Sequence, residues 1–332
     1  MRKRGPVLVR GTGSIGFRHL RVLRDQLGVE TLAMPVRTTR GIELAKSGFE
    51  IVGSLEEAAL RRPTCSVVAT DTARHLEDAG ELLQFGDVLV EKPLASTVVG
   101  IAALEKAARA MHRTVYVAFH LRFDQALCAL ARRLPEIGTL FSVRVECGSY
   151  LPGWRADRDY RLSYSARAAD GGVLRDLAHD LDYAIWLFGR PDEVFCTMTN
   201  RNILGIEAEE TADLIWKGRA GVPVSLHLDY VSRVPRREMS ASGEHGRLTW
   251  DALEGTVTLE RAGAGSDVEQ LVPDRDATVA RELRAFVDGE EFGRDQLATL
   301  AEGAEVVAVS DAARQSAASG RLEKVRPWQD GT

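Results

Sequence analysis

Apolar and polar positions follow two different periods along this chain, and the change between them divides it. In the first third, short apolar runs recur: Val7-Leu8-Val9, residues 31–36, Ser66-Val67-Val68-Ala69, Val88-Leu89-Val90 and Val115-Tyr116-Val117-Ala118. Runs with little polar interruption predict strands buried on both faces, as in a parallel sheet. Between them the spacing is helical, as at Ile15, Leu20, Leu23 and Leu27 with Arg18, Arg21 and Arg24 interleaved. Ser54 with Glu57 three residues on reads as a capping box opening a further helix. This alternation predicts a doubly wound parallel sheet with right-handed crossovers.

Beyond residue 119 the period falls to two. Residues 140–146, 193–199, 211–216, 222–231, 237–242, 248–251 and 256–260 read as strands, separated by turns such as Glu254-Gly255. Helices are predicted at 125–134, at 171–189 (opened by Gly171-Gly172, stopped by Gly189 with Pro191 beyond) and at 296–319. The chain is therefore an α/β protein. A Rossmann doubly wound parallel sheet occupies residues 1–118. A C-terminal α/β domain with a large, mostly antiparallel open sheet of about six strands occupies 119–332.

Composition narrows the class. The 332 residues have room for two domains with cores of their own. A net charge of −5 gives no reason to expect nucleic acid as a partner. The apolar run at residues 7–9 is too short for a signal peptide or membrane helix. The four cysteines, Cys65, Cys128, Cys147 and Cys196, are widely spaced, with no Cys-x-x-Cys. Neither a metal site nor a disulfide framework is indicated, which points to a reducing, cytoplasmic setting.

Candidate chemistry lies at strand ends. Val7 to Arg10 runs straight into Gly11-Thr12-Gly13-Ser14-Ile15-Gly16 and then a helix, the context a dinucleotide-binding G-x-G-x-x-G requires. Gly11 permits the tight turn, Gly13 lets backbone N–H groups approach a pyrophosphate, and Gly16 lets helix and strand pack closely. The second strand ends in Val36-Arg37-Thr38-Thr39-Arg40, with no acid for a ribose 2′-hydroxyl. Arginine pairs with a 2′-phosphate, so NADP(H) is the preferred cofactor and NAD(H) the other possibility, with Arg37, then Thr38 and Arg40, as contacts. The alternative is loop charge on a permissive site. Thr70, Glu91 and Lys92 complete the expected cofactor contacts, since ligands of open α/β sheets bind outside the carboxyl ends of strands. Asp176, His179 and Asp182 are spaced by three and fall on one face of the expected helix, either an acid–base unit or a solvated polar face.

Taken together these residues resemble the Gfo/Idh/MocA family of nicotinamide-dependent oxidoreductases. The marks are the glycine signature, Glu91-Lys92-Pro93 after a strand, and the glycine-led Asp176…His179…Asp182 helix. The resemblance implies a Rossmann domain joined to an open-sheet domain, acting on carbohydrate-like alcohols and ketones. It implies that Lys92 lies beside the nicotinamide, that His179 is the acid–base residue with Asp176 as its carboxylate partner, that His75 lies near the nicotinamide, and that the Lys92–Pro93 bond is cis. The stretch Tyr150-Leu151-Pro152-Gly153-Trp154-Arg155 through Tyr164-Ser165-Ala166 resembles a subgroup associated with sugar biosynthesis. In that subgroup the aspartate precedes the histidine by three residues rather than four, as here. Asp71 stands where many relatives have proline, and His120 where they often have asparagine. His120 is thus a substrate contact or a buried histidine at the domain junction.

The expected activity is hydride exchange with a ring carbon of a sugar, nucleotide-sugar or cyclitol. His120, Arg122, Tyr150, Trp154, Arg155, Tyr160 and Arg161 are candidates to touch that substrate, with Arg158 beside them. A homodimer or homotetramer is expected from the open sheet. Two rival readings are a redox-neutral, nicotinamide-dependent glycoside-cleaving or eliminating enzyme, and a non-catalytic nicotinamide-binding sensor.

Overall fold

The computed structural model describes residues 5–154 and 159–330. They form two compact units. The first runs to His120, then takes up Arg275–Ala304 and the chain from Trp328 onward; the second is Leu121–Asp274 with Glu305–Pro327. The first crossing falls two residues beyond the boundary expected at 118. The return of Arg275–Ala304 to the first unit was not expected. It has a local cause: Ala298–Thr299 pairs antiparallel with the edge strand Val115–Ala118, and Phe286 packs edge-to-face on Tyr116 at 6.2 Å. Asp276, in helix Arg275–Asp288, binds Arg18 at 3.0 Å and also Arg21. The closing helix starts at Leu300 and ends at Ser319.

In the first unit β1 (Val7–Arg10), β2 (Thr31–Met34), β3 (Glu50–Ile51), β4 (Cys65–Val68), β5 (Asp87–Glu91) and β6 (Val115–Ala118) form a parallel sheet. Its order is β6-β5-β4-β1-β2-β3, with Ala298–Thr299 on the β6 edge. Val7, Leu8, Val9, Val67, Val68, Val88, Leu89 and Val90 are fully buried, as strands covered on both faces must be. Strand order reverses between β1 and β4, which makes the crevice past their carboxyl ends the ligand position of such sheets. Ser54 accepts from the Glu57 N–H at 3.2 Å and Glu57 from the Gly53 N–H at 2.7 Å, so helix Leu55–Arg61 is capped much as expected.

The second unit is built on β7 (Leu140–Gly148), β8 (Glu193–Thr199), β9 (Thr211–Lys217), β10 (Pro223–Asp229), β11 (Arg236–Gly243), β12 (Gly246–Asp251), β13 (Thr256–Glu260) and β14 (Asp267–Gln270). With Glu323–Lys324 they make a nine-stranded sheet in the order β14-β13-β12-β11-β7-β10-β9-β8 and then that short strand. Every pairing is antiparallel except β10 with β7. Inward residues such as Leu214, Trp216, Leu226 and Trp250 are buried. No helix among the described residues is long and apolar enough to cross a membrane.

The outward face of β9 and β10 carries His227. Asp229, nearly buried at 3.4 Å, and Asp213 at 2.7 Å push its pKa up to about 9 against the opposing effect of burial. Its ordinary value is about 6.5. The stabilisation this pairing gives is therefore complete below about pH 6.5 and is lost as pH rises through about 9. His227→Gln is expected to flatten the fall of Tm between neutral and alkaline pH; identical profiles for variant and parent would contradict the pairing.

Candidate active site

The turn after β1 depends on missing side chains. Gly11 has φ +86°, and a Cβ there would lie 2.4 Å from the Ala69 carbonyl oxygen. On Gly16 it would lie 2.0 Å from the Gly11 carbonyl oxygen. A Cβ on Gly13 would meet nothing within 4 Å. The backbone at Gly13 thus opens onto free space where helix Ser14–Arg21 begins. A pyrophosphate requires this combination of accessible N–H groups, a helix N-terminus and no side chain in the way, so the loop fits a dinucleotide. Thr12 is buried, Ser14 exposed and Ile15 half-buried. Arg40 donates from Nε to the Thr12 carbonyl at 3.0 Å, pairs with Glu43 at 2.8 Å and covers the Phe17 ring at 5.1 Å. Arg37 and Thr38 are exposed at the start of helix Thr38–Lys46.

Past β4 and β5 the loops are laced together. Asp78 is fully buried and binds the Thr70 hydroxyl at 2.6 Å, Arg10 at 3.0 Å and Arg74 at 3.1 Å. The His75 ring nitrogens lie 2.9 Å from the Pro93 carbonyl and 3.1 Å from the Thr70 carbonyl. Burial lowers its pKa against the pull of those carbonyls and of Glu91 and Asp78. His75 therefore clamps the turn that follows Lys92. Lys92 is half-buried, and the Lys92–Pro93 bond is cis, as the resemblance implied. Glu91 accepts the Lys92 N–H at 3.2 Å through Oε2 and meets His19 Nε2 at 2.7 Å through Oε1. Burial works to raise the Glu91 carboxyl, but the hydrogen bond from His19 and nearby positive charge outweigh it and hold the carboxyl below its usual range.

In the second unit the expected continuous helix over 171–189 is two helices, Val173–Asp176 and Ala178–Phe188, broken at Leu177 (φ −93°, ψ 30°). Asp176 therefore ends one helix while His179 lies in the first turn of the next, so the single continuous helix expected to carry both is not found. A solvated face is also ruled out, because Asp176, His179, Asp180 and Asp182 are all buried. Buried charge needs partners. Asp176 accepts from the Tyr164 hydroxyl, from Ser165 Oγ at 2.5 Å and from the Tyr230 hydroxyl at 2.8 Å. Asp180 binds the Tyr183 hydroxyl at 2.8 Å and Arg237 at 3.1 Å. Asp182 takes Nε (3.0 Å) and a terminal nitrogen (2.7 Å) of Arg122, whose guanidinium also covers the Trp186 ring at 5.6 Å.

Arg122 is thus a buried ion-pair partner in the fold. Trp154 packs edge-to-face on Tyr230 at 5.5 Å and donates to Ser149 Oγ at 2.8 Å, which connects the aromatic stretch to the group holding Asp176. Tyr150 lies under Arg233 at 3.7 Å, Tyr160 donates to the Leu204 carbonyl at 2.8 Å, and Arg161 is exposed beside the Tyr160 ring. His120 is buried in the turn His120–Phe123. Arg155 and Arg158 lie outside the described residues. Sequence reasoning missed His19, Asp78 and Tyr230. Their contacts with Glu91, Thr70 and Asp176 span 72, 8 and 54 residues respectively.

Comparison with known proteins agrees in both units. Residues 6–119 match the Gfo/Idh/MocA model described as an oxidoreductase family with an NAD-binding Rossmann fold. Residues 133–249 match the Gfo/Idh/MocA C-terminal domain. A levoglucosan dehydrogenase of Pseudarthrobacter phenanthrenivorans is 33% identical over 148 residues, 43% of this chain but only 38% of that enzyme. A levoglucosan dehydrogenase structure in complex with NADH superposes with a TM-score of 0.84 at 19% identity, covering 97% of this chain and 99% of that one. GenD2 from gentamicin A biosynthesis, in complex with NAD, does so with a TM-score of 0.80 at 22% identity over 98% and 97%. At these identities the structural likeness speaks for the fold.

Proposed function

Because the chain belongs to the Gfo/Idh/MocA oxidoreductase family, we propose that it is an NAD(P)-dependent sugar dehydrogenase or ketoreductase acting on a ring CH–OH or its ketone. The substrate class is a free sugar, nucleotide-sugar or cyclitol. The observation that carries this reading is a buried His179 and, three residues before it in the chain, a buried Asp176 held by three hydroxyl groups. Burying such groups without a chemical role costs free energy that a plain binding module has no need to spend. The reading assigns the glycine loop to the pyrophosphate of the cofactor, whose nicotinamide supplies the hydride acceptor or donor when bound. His179 takes the substrate hydroxyl proton in oxidation and returns it in reduction, with Asp176 as its carboxylate partner. The Lys92 ammonium hydrogen-bonds the reacting oxygen and stabilises negative charge developing there. His120, Tyr150, Trp154, Arg155, Tyr160 and Arg161 remain the proposed surroundings of the substrate.

For cofactor choice we assign NADPH over NADH. Arg40 is engaged by Thr12 and Glu43, while Arg37 stands exposed after β2 with no acid beside it. Fluorescence titration of both reduced cofactors tests this: Arg37→Ala is expected to weaken NADPH about tenfold, the worth of a charged hydrogen bond, and leave NADH unchanged. Equal affinities in the parent would remove the assignment. The open face of the nine-stranded sheet is the proposed homo-oligomer contact, and a cytoplasmic setting the proposed location.

The deciding experiment follows reduced-nicotinamide absorbance with both cofactors against levoglucosan, inositols, sugar phosphates, nucleotide-sugars and keto-sugars. Turnover on one class supports the reading. Product formed without net cofactor change points to the redox-neutral reaction. Tight cofactor binding with no product on any member of the panel points to a sensor.

A further inference from the structure

The helix that begins at the glycine loop carries a histidine on its buried face. His19, 1% exposed, lies between Gly16 and Leu20 in that buried set, and its Nε2 meets Oε1 of Glu91 at 2.7 Å. Glu91 ends a strand whose Val88, Leu89 and Val90 are fully buried. Two apolar side chains would hold helix on strand at least as well as this pair, since buried polar pairs lose most of their attraction to desolvation. What an apolar pair would lack is the second carboxylate oxygen, which accepts the backbone N–H of Lys92 at 3.2 Å. One continuous path thus runs from the glycine-loop helix through a carboxylate to the turn bearing the lysine.

The geometry points to His19 as a positioning residue: through the Glu91 carboxylate it fixes the backbone of Lys92 in the frame of the helix that carries the glycine loop. This inference rests on the reading that Lys92 takes part in the reaction. Misplacement of a reacting group by about 1 Å can cost a hundredfold in rate, so a fixed lysine turn has a chemical use that packing alone has not. Glu91 can serve this purpose because it is held as an anion, and an anion is the stronger acceptor for an N–H.

The test is amide hydrogen exchange on the full chain, which needs no substrate. In His19→Leu, exchange of the Lys92 amide is expected to speed up about tenfold, while Leu89 and Val90 in the same strand keep their protection. His19→Gln, which keeps an N–H donor, is expected to restore it. Unchanged Lys92 exchange, an equal acceleration at all three amides, or failure of glutamine to rescue would each overturn the inference, the second by showing a merely structural role. Should His19→Leu not fold, Glu91→Met decides: without the carboxylate, Lys92 must exchange faster than Val90, and equal rates overturn the proposal. Lys92→Ala measured for turnover is a separate arm. Near-normal activity there would sink the catalytic reading while leaving the exchange result standing.

Discussion

His179→Asn is expected to slow turnover by about a hundred- to ten-thousandfold, the usual worth of a positioned acid–base group. Cofactor affinity should move little, because His179 is not among the proposed cofactor contacts. Lys92→Met is expected to lose about a hundred- to a thousandfold, as for removal of a donor aimed at a developing oxyanion. The two losses should not multiply, since groups serving one proton transfer act as a unit. Both variants are to be compared with the parent under saturating sugar and cofactor. Near-normal turnover in both would end the dehydrogenase mechanism given above. Tyr230→Phe removes one of the three hydroxyls on Asp176 and leaves the ring that packs on Trp154. Its effect on kcat should therefore be much smaller.

The second large effect concerns stability. Arg122 and Asp182 are paired bidentately with 4% and 1% of their side chains exposed. Breaking such a pair by removing one partner leaves a buried charge uncompensated and costs about 3–5 kcal/mol. Arg122→Met is expected to lower the melting temperature of the second unit by roughly 10 °C. The double change Arg122→Met with Asp182→Leu should recover most of the loss, because an apolar pair of similar volume fills the same space. A different outcome would restore the sequence-based expectation: Arg122→Met with an unchanged melting temperature and a raised KM for sugar would make Arg122 a substrate contact.

Local pattern carried much of this molecule. The first strand, its glycines and its helix were legible because each glycine answers a steric need within a few residues, as at Gly11 and Gly16. The outer strands were legible because one face of the sheet is wet: the expected bounds 193–199 and 256–260 coincide with β8 and β13. The break at Leu177 was not legible. No glycine or proline marks it, and it accompanies the hold that Tyr164, Ser165 and Tyr230 keep on Asp176 from outside the helix. The partners of the buried charges were hidden for the same reason, Arg122 and Asp182 being 60 residues apart. The return of Arg275–Ala304 escaped because a two-residue strand has no period to read.

That return also orders events on the ribosome. Translation proceeds at about 5–20 residues per second. Strand β6 therefore emerges on the order of ten seconds before the segment that covers its edge. During that interval the first unit lacks helix Arg275–Asp288 and presents an open strand edge, while the whole sheet of the second unit is being made. A gene fragment that stops at residue 120 would therefore encode an incomplete core with an open β6 edge rather than a portable cofactor-binding module.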